Sequence, residues 1–595
     1  MNRADRQILP QNVTPSHYAL QITTDLEGGA FNGTVDVDIH INQDRDSITV
    51  NALGINIHSA TIDNVKARRI LFDEDEQTAT FVWEKVWIAK QKKRLILIFD
   101  GALNEDLAGF YKSSYKTKDG NTAYMAVTQF APVDARRCFP CWDEPALKAT
   151  FDLTLTSKSS LVQLSNMAVK EEKISNSQKI TTYQTTPVMS TYLLVWAVGD
   201  FEYVESTAFR APVRTYTIPG YKQQGAFAAD LGAKTLAFFE KQFGIEYPLP
   251  KMDFLAVPNF TFGAMENWGL VTYRELALLL DTENASASSK ETIARVVQHE
   301  LAHQWFGNLV TMDFWEGLWL NEGFATWMAM FAGSRFFPEW ENLEAFVAKD
   351  LQSGLQLDSL RNSHPIEVPV TRTDQINQIL DSISYSKGCC VLTMLAKYLG
   401  EETFIKGVSR YLKKHAYENT VTNQLWESLS IESGKDVSKL MQTWTRKIGY
   451  PVIMVTETEK SLEVQQHRFL NSGDATEEED QTLYVVPLAL KTMGKDGPVV
   501  NEERLEDRKS SIHMSKDKLQ MYKLNADQYG FYRTCYTPDR LKAIGQQATE
   551  KPMFFSVQDR TGLVADTGAL SAAGYVKTSA FLTLIEHWRN EEAFL

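Results

Sequence analysis

Cysteine is scarce in this sequence, with five residues among 595. So few cysteines in so long a chain exclude a disulfide-rich scaffold. Cys138 and Cys141 have the CxxC spacing of redox and zinc sites, but no second pair follows that could complete a four-cysteine zinc site. We therefore predict that all five cysteines are reduced thiols, as in proteins of a reducing compartment.

Long apolar runs are also missing. No stretch suits a transmembrane helix, and the first ten residues lack the apolar run of a signal peptide, so we predict a cytoplasmic protein without a membrane partner. Lys and Arg number 61 against 75 Asp and Glu, giving a net charge of -14. This charge disfavours nucleic acid as a partner and favours cationic ligands. We expect a monomer.

The chain does contain enough apolar residues for several cores, at 44% hydrophobic and 11% aromatic. Alternating patterns, as in residues 35–41 and 151–156, predict a mainly β region up to about residue 205. Helical periods follow from Gly225, alternation returns after Pro451, and helical periods return from about residue 546. We predict a multidomain α+β protein with domains at residues 1–205, 206–449, 450–545 and 546–595.

The most informative motif is HExxH at residues 299–303, followed by a glutamate nineteen residues after the second histidine. On a helix, His299 and His303 lie on one face and can bind one ion, with Glu322 as the third ligand. These ligand types indicate one zinc ion per chain. Three protein ligands leave a fourth position for water, whose pKa zinc lowers to about 7.

A chance HExxH on a surface helix is the alternative reading of this motif. The sequence context favours the metal site. Residues 291–298 have the apolar spacing of a helix, and residues 319–325 begin a second apolar helix that contains the distal glutamate.

A second motif, GAMEN at residues 263–267, follows a predicted strand at residues 254–257. Together with HExxH and the distal glutamate, it resembles the M1 family of zinc aminopeptidases. The resemblance extends along nearly the whole chain and is greatest to the puromycin-sensitive, cytosolic branch. The other matching strings are TQF at 128–130, DARR at 134–137, PCWDEP at 140–145, NLVTM at 308–312 and ISYSKG at 383–388.

The resemblance implies a saddle-like N-terminal β-sheet domain, a thermolysin-like catalytic domain, a small β-sandwich and the start of an α-helical repeat domain. It also implies hydrolysis of the first peptide bond of peptides with a free N-terminus. Relatives continue beyond the last residues of this sequence, so we expect the helical domain to be incomplete here, either because the native protein is short or because the sequence is a partial one. The last predicted helix, residues 578–595, would place Phe581, Leu582, Ile585 and Trp588 near one face.

The resemblance also implies roles for individual residues. Glu266 would bind the substrate α-ammonium group through a charge-assisted hydrogen bond. Glu300 would act as general base toward the zinc-activated water, and the Tyr385 hydroxyl would stabilise the oxyanion. Gln129 and Met265 would line the pocket for the first side chain, while the backbone of Gly263 and Ala264 would pair with the substrate.

One position departs from the family pattern. Ala131 stands where relatives commonly have a glutamate that gives the substrate ammonium a second carboxylate partner. We predict weaker binding of the substrate N-terminus, seen as a higher KM or a loosened preference, with the hydrolytic groups intact.

Two other functions share part of this pattern. Epoxide hydrolysis of a lipid, as in leukotriene-hydrolase relatives, uses the same zinc site, although GAMEN and the β pattern after Pro451 favour the aminopeptidase. A catalytically silent peptide-binding protein is the third hypothesis, and the intact base and ligand set opposes it. We predict that His364 is a structural histidine, and that the tryptophans near the motifs belong to the core and the pocket wall.

Overall fold

The computed structural model describes residues 6–550, 554–588 and 591. These residues divide into two compact units by their internal packing. The first unit contains the described residues of 6–315, 370–377 and 412–420, and the second contains those of 316–369, 378–411 and 421–591. Within the described part of the chain, no helix is both long and apolar enough to cross a membrane.

The elements are numbered in chain order. The strands are β1 Val13–Asp25, β2 Ala30–Ile41, β3 Arg45–Asn51, β4 Asn56–Ile62, β5 Val65–Lys66, β6 Arg69–Asp73, β7 Thr78–Trp87, β8 Lys92–Ala102, β9 Gly109–Lys116, β10 Thr122–Gln129, β11 Thr150–Lys158, β12 Val162–Ser165, β13 Val169–Ser175, β14 Gln178–Tyr183, β15 Trp196–Gly199, β16 Glu202–Ser206, β17 Val213–Thr217, β18 Met252–Val257, β19 Ala264–Met265, β20 Leu270–Arg274, β21 Thr311–Met312, β22 Asn419–Thr420, β23 Pro451–Glu457, β24 Ser461–Arg468, β25 Val486–Pro487, β26 Leu490–Gly494, β27 Gly497–Asn501, β28 Arg504–Leu505, β29 Lys509–His513, β30 Tyr522–Lys523 and β31 Arg533–Cys535.

The α-helices are α1 Ala226–Phe243, α2 Ala287–Ala302, α3 Trp319–Phe336, α4 Asn342–Phe346, α5 Gln352–Asp358, α6 Gly388–Leu399, α7 Glu401–Lys414, α8 Thr422–Ser433, α9 Val437–Arg446, α10 Lys516–Gln520, α11 Pro538–Glu550, α12 Val557–Ala572 and α13 Thr578–Glu586. Two π-helical turns occur at Val347–Leu351 and Ile383–Lys387. Short 3-10 turns occur at Ala135–Arg137, Thr191–Leu193, Lys222–Gly225, Glu275–Ala277, Trp315–Gly317, Pro338–Trp340, Thr373–Ile379 and Ala526–Gln528.

The first unit is built mainly from β-sheets. Its largest sheet has eight strands in the order β13-β14-β11-β1-β2-β8-β4-β5, and β1 and β11 are parallel. Alternate residues of β2 face the core, as shown by the burial of Val35, Val37 and Ile39. This alternation is the period-two pattern of a half-buried strand, so the predicted β region up to about residue 205 is confirmed.

Two smaller sheets of the first unit carry the motifs. One is a four-stranded sheet with the order β12-β15-β10-β9, in which strand β10 ends at Gln129. A five-stranded sheet, β16-β17-β18-β20-β19, places the GAMEN strand β19 at its edge. The predicted strand at residues 254–257 is the buried centre of that sheet, within β18. An edge strand leaves one row of backbone groups available to another extended chain.

The second unit combines helices with small sheets. Helix α3 is apolar around most of its circumference, and residues 319–325 at its start are all buried. Strands β29, β24, β23 and β31 form a four-stranded sheet, and β27, β26 and β30 form a three-stranded sheet. A β-rich N-terminal region, a central region of mixed strands and helices and a helical C-terminal region confirm the predicted multidomain α+β fold class.

Some predicted elements differ from the structure. The continuous β pattern predicted at residues 484–490 is split into β25 and the start of β26, because Ala489 has a φ of 44° that no extended strand allows. The helix predicted from about residue 546 begins earlier, at Pro538, a residue suited to the first helical turn.

The last predicted helix is also only partly observed. Within the predicted span of residues 578–595, α13 ends at Glu586, and residues 589, 590 and 592–595 lie outside the described residues. Its buried positions are Ala580 and Leu584, whereas Leu582 is 56% exposed. The apolar face predicted for Leu582 is therefore wrong.

The cysteines and tryptophans follow the predictions. All five cysteines are buried free thiols. Burial raises the pKa of Cys138 and Cys141 well above the usual thiol value, so neither is a reactive thiolate. The tryptophans near the motifs are all buried, namely Trp268, Trp305, Trp315, Trp319 and Trp327.

Candidate active site

Helix α2 carries the HExxH motif in its last turn. The helix begins after Ser286, whose side chain accepts a hydrogen bond from the Ser289 amide, and it ends at Ala302. The side chains of His299 and His303 therefore project from one face, one turn apart. Their Nε2 atoms are 3.1 Å apart.

This separation fits binding of a common metal ion. Two nitrogens at about 2.0–2.1 Å from one ion in tetrahedral geometry would lie roughly 3.3–3.4 Å apart. The Nδ1 atom of His303 lies 2.9 Å from the backbone oxygen of Phe306. Because a carbonyl oxygen only accepts, Nδ1 carries the proton, and the lone pair of Nε2 is left for a metal.

His303 also belongs to a cluster of two carboxylates and one imidazole in the first unit. The ligand atoms of Glu266, Glu300 and His303 all lie within 4.8 Å of one another, and all three residues are buried. Two carboxylates this close in a low-dielectric setting repel each other and favour a cation between them. The structure thus brings the predicted ammonium-binding residue and the predicted general base together.

The position of Glu266 depends on contacts with the chain that follows the HExxH motif. Its backbone oxygen accepts hydrogen bonds from the side-chain amide of Asn308 at 2.8 Å and from the side-chain amide of Gln304 at 3.4 Å. Both donor residues are buried. The sequence alone indicates no role for Asn308 or Gln304, although Asn308 begins one of the strings that resemble the M1 family.

Strand β19 presents the residues next to Glu266. It pairs with β20 through Ala264 with Tyr273 and through Met265 with Thr272. Gly263 is exposed, and a Cβ atom at that position would have no neighbour within 4 Å. The fold itself therefore leaves open space beside Gly263, and the free edge of β19 borders that space.

The end of β10 brings Gln129 into the first unit's interior. Gln129 is 1% exposed and donates a hydrogen bond from Nε2 to the backbone oxygen of Ala131 at 3.2 Å. Its Oε1 atom has no hydrogen-bond partner among the described residues. On neighbouring β9, the Tyr111 hydroxyl donates to the backbone oxygen of Asn259, four residues before GAMEN. This hydrogen bond connects β9 to the segment between β18 and β19 that leads into GAMEN.

The second unit contains the other two predicted site residues. Glu322 lies in the first turn of α3 and is 7% exposed. Tyr385 is half-buried in the π-helical turn Ile383–Lys387.

These two elements meet without intervening side chains, because a Cβ atom built at Gly323 would lie 3.2 Å from the Cα of Gly388. Glycine at both positions permits this close approach.

His364 does not belong to any group of possible metal ligands found among the described residues. Instead, its Nε2 atom lies 2.8 Å from Oδ2 of Asp381. This contact agrees with the prediction of a structural histidine.

Comparison with known proteins places this architecture in a family. Residues 227–444 match the Peptidase family M1 domain, residues 14–193 the Peptidase M1 N-terminal domain, and residues 521–595 the ERAP1-like C-terminal domain. The chain belongs to peptidase family M1, which confirms the resemblance derived from its motifs.

Several relatives are similar over almost the whole chain. Aminopeptidase 2, mitochondrial, of Saccharomyces cerevisiae is 51% identical over 99% of this chain and 62% of its own length. Alanine/arginine aminopeptidase of the same organism is 50% identical over 99% of this chain and 68% of its own length. Aminopeptidase M1 of Arabidopsis thaliana is 44% identical over 98% and 68%, respectively. The chain thus spans about two thirds of the length of these relatives, each of which is named an aminopeptidase.

Proposed function

We propose that this protein is a zinc-dependent aminopeptidase that hydrolyses the first peptide bond of peptides with a free N-terminus. The buried cluster of Glu266, Glu300 and His303, with ligand atoms within 4.8 Å of one another, is the observation that carries this proposal. It combines an anionic site for an ammonium group with a general base and a metal ligand. The family membership and the names of the relatives support the same activity.

His299, His303 and Glu322 would hold one zinc ion. The separation of the two imidazoles and the tautomer of His303 support this assignment, as does the nineteen-residue spacing to a buried glutamate. When bound, zinc supplies a Lewis acid that polarises the scissile carbonyl and lowers the pKa of water.

The chain's own residues would then bind and orient the substrate. Glu266 would hold the α-ammonium group and so determine which peptide bond is cleaved. The free edge of β19 would pair with the extended backbone of the substrate at Gly263 and Ala264. Met265 and Gln129 would border the first side chain, and the unpaired Oε1 atom of Gln129 offers a hydrogen-bond acceptor there.

Two residues would move or stabilise charge. Glu300 would take a proton from the attacking water and later return it to the leaving amine. Tyr385 would donate a hydrogen bond from its neutral hydroxyl to the developing oxyanion. The boundaries of the four domains, the monomeric state and the cytoplasmic location stay predictions.

A pair of matched substrates tests the proposed activity. We expect cleavage of a fluorogenic aminoacyl amide and no cleavage of its N-acetylated twin, because acetylation removes the charge that Glu266 binds. A chelator should abolish the reaction, and added zinc should restore it. Release of the fluorophore measures both effects. Equal cleavage of the two substrates would contradict the role of Glu266, and activity that survives removal of the metal would contradict the zinc site.

The Ala131 position gives a separate prediction. We expect Ala131→Glu to lower KM for the free-amine substrate by about tenfold, since a charge-assisted hydrogen bond contributes roughly 1.5–3 kcal/mol. The value of kcat should change little. Ala67→Glu is the control, because Ala67 is a half-buried alanine of the same unit outside the motifs. An unchanged KM in Ala131→Glu would show that position 131 does not contact the substrate ammonium.

A further inference from the structure

The turn that carries Tyr385 is fixed at its start by Asp381. Oδ1 of Asp381 accepts a hydrogen bond from the Ile383 amide at 2.8 Å, and its backbone oxygen accepts one from the Tyr385 amide at 3.1 Å. A carboxylate at this position satisfies amides that the turn leaves unpaired. Asp381 therefore determines where the turn begins.

The same turn is fixed at its end by a buried ion pair. The Nζ atom of Lys387 lies 2.7 Å from Oδ2 of Asp358, and neither side chain is exposed to solvent. Lys387 also donates to the backbone oxygen of Gly449, while the Gly449 amide donates to Oδ1 of Asp358. Removing one partner of a buried ion pair strongly destabilises a protein, because the other charge is left unpaired. This end of the turn is therefore fixed in place.

His364 faces the first of these anchors as a cation. Its Nε2 atom lies 2.8 Å from Asp381, and its Nδ1 atom lies 2.9 Å from the backbone oxygen of Pro365. Both neighbours only accept, so both ring nitrogens must carry protons. Burial opposes this charge, but the hydrogen bonds to Asp381 and Pro365 and the nearby charges of Asp381 and Asp358 raise the pKa of His364.

Ser363 contacts the second anchor. Its hydroxyl donates to Oδ1 of Asp358 at 2.9 Å. Two consecutive residues, Ser363 and His364, therefore reach the carboxylates at the two ends of one five-residue turn. Tyr385 is the middle residue of that turn.

We propose that Ser363 and His364 are positioning residues that hold the Tyr385 hydroxyl in place by fixing Asp358 and Asp381. This inference rests on the proposed function, because it assigns the pair to the group that stabilises the oxyanion. Neither residue needs to touch the substrate. A displacement of about 1 Å in a catalytic group can lower the rate by roughly a hundredfold, so the anchoring has a measurable consequence.

Steady-state kinetics of His364→Ala on the zinc-loaded protein test the proposal. We expect kcat to fall by about 10–100-fold with KM and zinc content unchanged, as for other residues that orient catalytic groups. Ser363→Ala should act in the same direction with a smaller effect. His467→Ala is the matched control, since His467 also pairs with an aspartate, Asp480, at 2.7 Å. A similar loss of kcat in His467→Ala and His364→Ala would overturn the proposal.

A double-mutant cycle separates positioning from general destabilisation. In a Tyr385→Phe background the hydroxyl is absent, so we expect His364→Ala to cause no further loss of kcat. Additive losses would show that His364 acts elsewhere.

Hydrogen exchange of the amides at residues 383–386 tests the anchoring without using activity. Faster exchange in His364→Ala than in wild type supports the anchoring, and equal exchange refutes it. A wild-type protein that fails to cleave the amide would overturn the proposed function, while this exchange result would still decide whether His364 holds the turn.

Discussion

Glu300→Gln should lower kcat for a free-amine aminoacyl amide by about 10²–10⁴-fold, the range expected for loss of a general acid–base group. Glutamine matches glutamate in size but cannot accept the proton of the attacking water. KM and zinc content should stay close to those of the wild type. Steady-state kinetics and metal analysis of the purified variant measure all three quantities.

The position of Glu300 supports this expectation. It is 6% exposed, directly follows His299 on α2, and belongs to the buried cluster with Glu266 and His303. Glu291→Gln is a suitable control, because Glu291 lies on the same helix and is half-buried outside that cluster. If Glu300→Gln retained more than about a tenth of the wild-type kcat, another group would have to be the base.

Tyr385→Phe should lower kcat by about 10²–10³-fold, as expected when one oxyanion donor is removed. The ring remains, so packing of the π-helical turn and the KM of the substrate should change little. Kinetics with the same amide substrate test this, and a thermal unfolding curve checks that the variant is folded.

Tyr398→Phe provides the comparison for this variant. Tyr398 lies on α6, which directly follows the Tyr385 turn, and its hydroxyl accepts a hydrogen bond from Arg504. The same atom is removed in both variants, so only a role in the reaction should separate their kcat values. Equal kcat values for the two would leave the oxyanion without its proposed donor.

The elements that sequence predicts well are those specified by local pattern. Residues 291–298 and 319–325 have helical apolar spacing, and both lie in helices of the structure. The β region to about residue 205 follows from alternation, which depends only on neighbours along the strand. Helix α1 begins at Ala226, one residue after Gly225, where the sequence predicts the change from a period of two to that of a helix.

The predicted elements that differ from the structure also have physical explanations. The split between β25 and β26 depends on a left-handed backbone at Ala489, a residue type that seldom adopts it. The start of α11 at Pro538 is a local signal of a first helical turn, whereas the exposure of Leu582 depends on which neighbouring elements pack against α13. Apolar spacing does not identify those neighbours.

The candidate site shows the same division. The spacing of His299, His303 and Glu322 predicts a metal site, because ligand positions on helices are local properties. The hydrogen bonds that hold the site residues in place join residues that are far apart in the sequence. Asn308 reaches Glu266 across 42 residues, and His364 reaches Asp381 across 17, so only the folded chain shows what holds them.

The contact between Gly323 and Gly388 has a consequence for how this protein can change. Its two helical segments touch main chain to main chain, and each glycine adjoins a turn that carries a proposed functional residue, Glu322 or Tyr385. A rotamer change cannot relieve crowding where there are no side chains to rotate. A single methyl group added at Gly323 would lie 3.2 Å from the Gly388 main chain, so the two segments would have to separate by a few tenths of an ångström, and this movement would involve the segments of Glu322 and Tyr385 together.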